Sequence, residues 1–488
     1  MTTTSVRDRR AGLSALALVS AIIAAAAALG GCSNPLAAAA QAARIAAATG
    51  LPSAPSDIAV SVASHQVTLS WTAVQNATSY NIYCSTSTSS IPLNSSTLLA
   101  KVSSGDTYTH TGLTNKSTYY YAVTSVGSKG ESAASATVSA VPLFLVAYVN
   151  IGGTGGSGCG VQPYGLNPQT GALTAISGST FTGSYPSDIV VTPNGKFAYI
   201  TNYNTGCIYP YTVTSTGALS SPLSQVPCAC SPSSSSTAID PTGSFLYVLG
   251  AMSTNVTGYL ISSSNGALSG ITTATDGIQS FHIAISPLDD RHVLVASYMT
   301  TEGDGEVYDY TYDSGTGQLT ACTQPNNPGY KYVQIPNPCS IAISPAGNYC
   351  YVGTANSGLY TLSANTATGE LTKIQNIPDT SMHYVNAIAI DPQGEYLFGA
   401  SPNKIVSASI QSDGTLIQLS SNTAGWSSNI ASLRVDPTGQ FLVVADENGG
   451  TVRVLKIDRS SGTLREVTGS PFATGLNNPC AVYIASLP

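Results

Sequence analysis

Charge is scarce in this chain. Only 8% of its 488 residues are Asp, Glu, Lys or Arg, with 17 bases against 24 acids. Without dense Lys and Arg there is no surface to neutralise a phosphate backbone, so nucleic acid is not expected as a partner. His occurs five times and never at metal-ligand spacing, so no metal site is expected; no cofactor is implied either. No Gly-x-Ser-x-Gly nucleophile elbow appears. Beyond the N-terminal leader, no run is long and apolar enough to span a bilayer. Disorder is excluded as well, because 43% of the residues are hydrophobic and they are patterned.

What is abundant is Tyr (27), Gly (46) and small polar residues, a composition suited to β-rich proteins outside the cytoplasm. The N-terminus reads as a targeting segment. Arg7, Arg9 and Arg10 precede the apolar stretch 11–29, and small residues lead into Cys32. This pattern resembles a bacterial lipoprotein signal. The resemblance implies cleavage of residues 1–31 and lipidation of Cys32, which would hold the chain at a membrane surface of the cell envelope. Residues 32–51 are Ala-rich and read as a tether.

Residues 52–142 alternate apolar and polar positions in several short runs. Val67-x-Leu69-x-Trp71, Tyr80-x-Ile82 and Tyr119-x-Tyr121-x-Val123 each present one apolar face. The segment resembles a fibronectin type III β-sandwich, with Trp71 in the core and Leu113 and Tyr119 at the tyrosine corner.

From residue 143 onward one sentence recurs. YPSDIVVTPNGKFAYITN, residues 185–202, joins two apolar strands through a Pro-x-Gly turn. Counterparts of its Pro193 are Pro241, Pro287, Pro345, Pro392 and Pro437, at spacings of 48, 46, 58, 47 and 45 residues. The Asp before three of these prolines is expected to serve the turn. A second marker, Gly-x-Leu, begins at Gly171, Gly217, Gly266, Gly317, Gly369, Gly414 and Gly462, one copy more than the proline marker. The missing first strand is supplied by the end of the chain, so residues 479–485 should pair with 144–150. Seven units of four strands describe an all-β, seven-bladed propeller.

The blade pattern resembles the lactonase family of seven-bladed propellers, whose best-known members are 6-phosphogluconolactonases. The resemblance implies a site at the mouth of the central channel, built from Arg and His at the starts of the innermost strands. At the His place this chain has Asp188, Ser236, His282, Ser340, Ala387, Ser432 and Ala481. At the Arg place it has no Arg, although Arg434 stands further along an innermost strand. A phosphorylated substrate wants such cations, so the departure points away from sugar phosphates.

The expected function is therefore binding of a carbohydrate or surface protein at the channel mouth by a monomeric, membrane-anchored propeller. Tyr185, Tyr203, Tyr298, His383, Tyr384 and Trp426 are the candidate contacts. The alternative is a lactone hydrolase using His282, Asp188 and Arg434. A third reading is a structural or adhesive surface protein. An exported chain can form disulfides, and blade topology suggests Cys159 with Cys480 and Cys322 with Cys339.

Overall fold

The computed structural model describes residues 50–488, apart from 153–158, 179–184, 229–233, 251–254, 276–277, 289–290, 300–304, 325–330, 379–383, 424, 428 and 475–477. Cys32 with its leader, and His383, lie outside the described residues. No helix occurs among the described residues; every regular element is a strand.

Residues 59–140 form the two sheets of the sandwich. One joins Ala59–Ala63, Gln66–Ser70 and Thr107–Thr111. The other is built on Ser79–Ser85 and Tyr119–Gly127, flanked by Leu98–Val102, Gly130–Glu131 and Val138–Ala140. Val67, Leu69, Trp71, Ile82, Leu113, Tyr121 and Val123 are buried, as alternating patterns demand of a half-covered sheet. Trp71 meets Tyr80 edge to face, with ring centroids 5.1 Å apart. Tyr119 opens its strand half-buried.

Residues 144–487 form seven antiparallel sheets of four principal strands each. The first blade is composite: Pro479–Leu487 pairs with Phe144–Ile151, followed outward by Gly160–Leu166 and Leu173–Ala175. The innermost strands of blades 2 to 7 are Pro186–Val191, Ser234–Ile239, Ile278–Ile285, Pro338–Ile343, Ala387–Ile390 and Ile430–Val435. They contact one another in succession, and Pro479–Leu487 closes the circle between blades 7 and 2. Closure covers the edge of Phe144–Ile151 that would otherwise stay unpaired.

Two small devices explain the repeated residues. Asp240, Asp391 and Asp436 are fully buried at the turn after the innermost strand. Each carboxylate accepts the amides four and five residues on, at 2.6 to 2.9 Å. They are turn residues and stand outside the chemistry.

The second device joins neighbouring blades. The Gly of every Gly-x-Leu copy has positive φ, between 67° and 83°. In each, an added Cβ would collide with a side chain of the preceding blade; at Gly266 it would lie 2.4 Å from the Phe197 ring. Beside this contact, Tyr148, Tyr199, Tyr247 and Tyr351 donate their hydroxyls to the carbonyls of Gly217, Gly266, Gly317 and Gly414 in the next blade, at 2.8 to 3.1 Å. Gly266→Ala combines left-handed backbone strain with overpacking, so a loss of about 2–4 kcal/mol is expected. Tyr247→Phe should cost about 1 kcal/mol. Gly178→Ala, equally left-handed but with nothing within 4 Å, isolates the backbone part. Urea unfolding of the three variants checks this order.

Candidate functional site

The channel wall begins with a bulge. In six of the seven innermost strands the register shifts by one residue near the start, at Pro186/Asp188, Ser234/Ser236, Ser280/His282, Pro338/Ser340, Ile430/Ser432 and Pro479/Ala481. A bulge bends the strand and re-aims the side chains beside it. Asp188 and His282 follow such bulges directly. Phe281, Cys339 and Cys480 occupy them.

Beyond the bulges the channel holds a cavity of about 540 Å³. One residue per blade, paired across from the middle of the second strand, forms a ring in its wall: Val190, Ala238, Ala284, Ala342, Ala389, Arg434 and Tyr483. Four alanines make the room, and two large polar residues from adjacent blades, 7 and 1, fill part of it. His282 also lines this cavity, whose remaining wall is mostly Ile, Val, Thr and Pro.

Two of the expected residues, His282 and Arg434, line this cavity together, and Asp188 stands near Arg434 outside the lining. Arg434 lies within electrostatic reach of both His282 and Asp188. None of the three bonds directly to another. Arg434 donates to the carbonyl of Leu433 at 3.0 Å. Asp188 is already saturated: it accepts from the Ile189 amide at 2.8 Å, and from the Thr237 amide and hydroxyl at 2.8 and 2.9 Å. Its bonds reach into the next blade, so Asp188 positions and counterbalances rather than abstracts protons. Burial raises its pKa, against the pull of Arg434 and the Thr237 hydrogen bonds.

His282 is the reactive member. Its Nδ1 is buried and has no hydrogen-bond partner among the described residues. Burial first, and Arg434 second, pull its pKa down to about 3. The imidazole is therefore neutral through the physiological range, with a bare nitrogen near a guanidinium. Linkage follows from the sign of this shift. The unfolded chain takes up a proton near the ordinary His value of about 6.5, and the folded chain does not until about 3. Acidification from about 6.5 towards 3 should therefore destabilise the wild type more than His282→Asn. Thermal unfolding across that range measures the difference.

Tyr483 was missed in the sequence, as was Thr237. Tyr483 donates to the carbonyl of Val191 at 3.2 Å, and burial raises its pKa. The signal was available: Tyr483 occupies the same column as Arg434, where other blades carry Ala or Val.

The aromatic candidates divide. Tyr203 is 51% exposed and Tyr384 40% exposed, in loops at the bulged end of the channel. Tyr298 stands edge-on to the exposed Phe281, centroids 5.3 Å apart. Tyr185, partly buried, immediately precedes the blade 2 inner strand and accepts the Tyr203 amide through its carbonyl at 3.0 Å. Trp426 needs correction. It is only 8% exposed, its indole donates to Asn422, and Arg453 covers one face at 4.6 Å, so it is a packing residue without a free face for a ligand.

The expected disulfides also need correction. Cys159 and Cys480 are not joined, nor are Cys322 and Cys339. The Cys480 sulfur points at the Pro186 carbonyl at 3.2 Å and the Cys339 sulfur at the Val385 carbonyl at 3.2 Å. Burial pushes both thiols up to about 12. Cys228 is disulfide-bonded. In the third strand of blade 4, Glu306–Tyr312, the acidic residues Glu306 and Asp309 are buried.

Comparison with known proteins agrees with this architecture. The family model for the seven-bladed β-propeller lactonases matches residues 144–401 and 299–476, and that for fibronectin type III domains matches residues 53–141. No curated protein matches. Among solved structures, a putative 6-phosphogluconolactonase from Bacteroides uniformis is 19% identical, with a TM-score of 0.60, covering 70% of this chain and 99% of that one. The periplasmic gluconolactonase of Pseudomonas aeruginosa is 18% identical, with a TM-score of 0.59, over 71% of this chain and 100% of that one. A putative 6-phosphogluconolactonase from Bacteroides fragilis is 17% identical, with a TM-score of 0.58, over 70% and 98%. At these identities the likeness to each structure is one of fold. The family match spans more than half of the sequence: the chain belongs to the seven-bladed β-propeller lactonase family, and its propeller follows a fibronectin type III domain.

Proposed function

We propose that the propeller hydrolyses a small, unphosphorylated lactone in its central channel. The observation that carries this reading is that one cavity of about 540 Å³ is lined both by His282, whose Nδ1 is buried without a partner among the described residues, and by the Arg434 guanidinium. Water attacks the lactone carbonyl carbon and His282 Nδ1 takes its proton. Arg434 balances the charge growing on the carbonyl oxygen. The ring C–O bond breaks, the alkoxide is reprotonated, and a hydroxy acid leaves. A lone Arg and an otherwise apolar wall suit an uncharged ring better than a sugar phosphate. The Pseudomonas aeruginosa structure, named as a periplasmic gluconolactonase, supports a substrate without phosphate. The leader and Cys32 support a lipid-anchored position in the cell envelope, where such a substrate would be met. The test is hydrolysis of a lactone panel by the purified chain, followed by pH-stat titration, with Arg434→Gln as control. Equal rates for the two proteins would sink the reading.

A second reading, binding of a glycan or surface protein at the mouth, is favoured by the exposed rings of Tyr203, Tyr384 and Phe281. A glycan array with Tyr384→Ala separates it: retention on a sugar that the variant loses would support it.

A further inference from the structure

Blade 4 breaks the inter-blade device. Where other blades place an aromatic ring or Val146 against the next Gly-x-Leu turn, the contact at Gly369 is made by Cys322 and Asp309. The second strand of blade 4 runs His292–Met299, so His292 replaces the leading Phe or Tyr, and Leu294 stands where blades 1, 2, 3 and 5 carry the stapling Tyr and blades 6 and 7 carry Phe398 and Val443. The junction to blade 5 is made instead by polar groups. Gln324 donates to the Gly369 carbonyl at 2.9 Å, and His292 Nε2 faces the Thr366 carbonyl at 3.0 Å.

This substitution gathers three ligating side chains. His292, Asp309 and Cys322 are all buried, and their ligand atoms lie within 4.8 Å of one another. They stand on, or just after, different strands of one blade, 17 and 13 residues apart, so the short-range spacing rule that found no metal site could not see them. Only the pairing of strands and the cysteine's backbone bond, Cys322 amide to Asp309 carbonyl at 2.8 Å, bring them together.

We propose that His292, Asp309 and Cys322 form a site for a borderline-soft divalent cation, zinc foremost. One imidazole, one carboxylate and one thiolate are a donor set zinc accepts. His292 Nδ1 and Asp309 Oδ1 are 3.1 Å apart, close to the spacing of about 3.3 Å for two ligands about 2.0 Å from a tetrahedral ion. The Thr366 carbonyl at Nε2 holds the tautomer that turns Nδ1 towards the metal, the second-shell arrangement expected of a ligating His. Gly369 leaves open the space beside Cys322 Sγ and Asp309 Oδ2 that a Cβ would fill, at 2.3 and 2.9 Å. A cavity of about 470 Å³, lined by Arg291, Thr311, Thr320 and Thr366, reaches His292 and gives solvent a path to the imidazole. Charge also balances: a thiolate, a carboxylate and a neutral imidazole offset two positive charges. Binding sends the Cys322 thiol proton and the Nδ1 proton to solvent, and bonds form from the metal to Sγ, Nδ1 and a carboxylate oxygen. All three ligands belong to blade 4, so the ion ties that blade's own strands together, while Gln324 makes the bond to the Gly369 carbonyl of blade 5.

The purified chain is reduced, stripped with chelator, loaded with zinc and desalted. One equivalent of zinc by elemental analysis in the wild type, lost in Cys322→Ser, is expected, with the melting temperature rising on loading in the wild type alone. Less than about 0.2 equivalent in the wild type, or a full equivalent kept by Cys322→Ser, overturns the proposal. Should Cys322→Ser not fold, X-ray absorption of the loaded wild type decides. One sulfur at about 2.3 Å with two or three nitrogen or oxygen ligands supports the site, and any other sulfur count rejects it.

Discussion

Ending the chain at Asn478 should leave a propeller that does not fold as a monomer. The deleted segment supplies the innermost strand of blade 1, pairing from Pro479↔Ile151 to Leu487↔Phe144. Val482 and Leu487 are 1% exposed, and Ala481 and Ala485 nearly as buried. Full burial of a Val or Leu side chain is worth about 1.5–3 kcal/mol, so those two alone account for about 3–6 kcal/mol. The whole net stability of a domain is about 5–15 kcal/mol. The deletion also bares the edge of Phe144–Ile151, whose residues from Leu145 to Ile151 are all buried in the closed ring. A flat, apolar, unpaired edge recruits other chains. The expected result is aggregated or oligomeric material in size exclusion and loss of the cooperative melt. A peptide spanning residues 479–488, added in excess, should restore the monomer. A soluble, cooperatively melting monomer without the peptide would mean that ring closure contributes little.

Much of this architecture is legible because strands and turns write themselves locally. The seven Gly-x-Leu copies are visible because each must take positive φ beneath a neighbouring side chain. The mismatch with six proline turns reflects the composite blade, whose first strand ends without a turn to follow. The site was legible only in part. Asp188 and His282 could be found because the family pattern names their column. Arg434 stood out against Ala and Val in its own column, and Tyr483 would have done so in the same comparison. What the sequence could not give was partnership. Nothing in it says that Thr237 saturates the Asp188 carboxylate, or that Arg453 lies over Trp426. Nor could it tell that the sulfurs of Cys480 and Cys339 turn to backbone carbonyls. Those outcomes depend on which side a bulge turns a side chain towards, and on what the adjacent blade brings. The trio at His292 is the extreme case, since no short-range spacing relates its members.

The second large effect concerns Arg434, and it should exceed that of His282. A base with a pKa near 3 is weak at neutral pH, well away from the match to ambient pH that favours proton transfer. His282 therefore gives up driving force, and the greater share of acceleration falls to charge stabilisation by Arg434 in a mostly apolar channel. Such a division suits a lactone, whose strained ester needs less help from a base than an open one. Arg434→Gln should lower kcat/KM by about 10²–10³, the usual loss for one oxyanion donor. His282→Asn should lower it by about 10–10². Asp188→Asn should act on KM and on the pH profile more than on kcat, since Asp188 touches Thr237 and the field of Arg434, not the substrate. The pH profile distinguishes this mechanism from a merely structural arginine. In the wild type kcat/KM should stay flat from pH 8 down to about 4, because His282 remains neutral until about 3. Removing the guanidinium takes away one of the two causes of that depression, so residual activity of Arg434→Gln should fall off at a higher pH. An acid limb that stays in place in Arg434→Gln, or a wild-type limb near 6.5, would separate His282 from the proton transfer and leave the channel as a binding site.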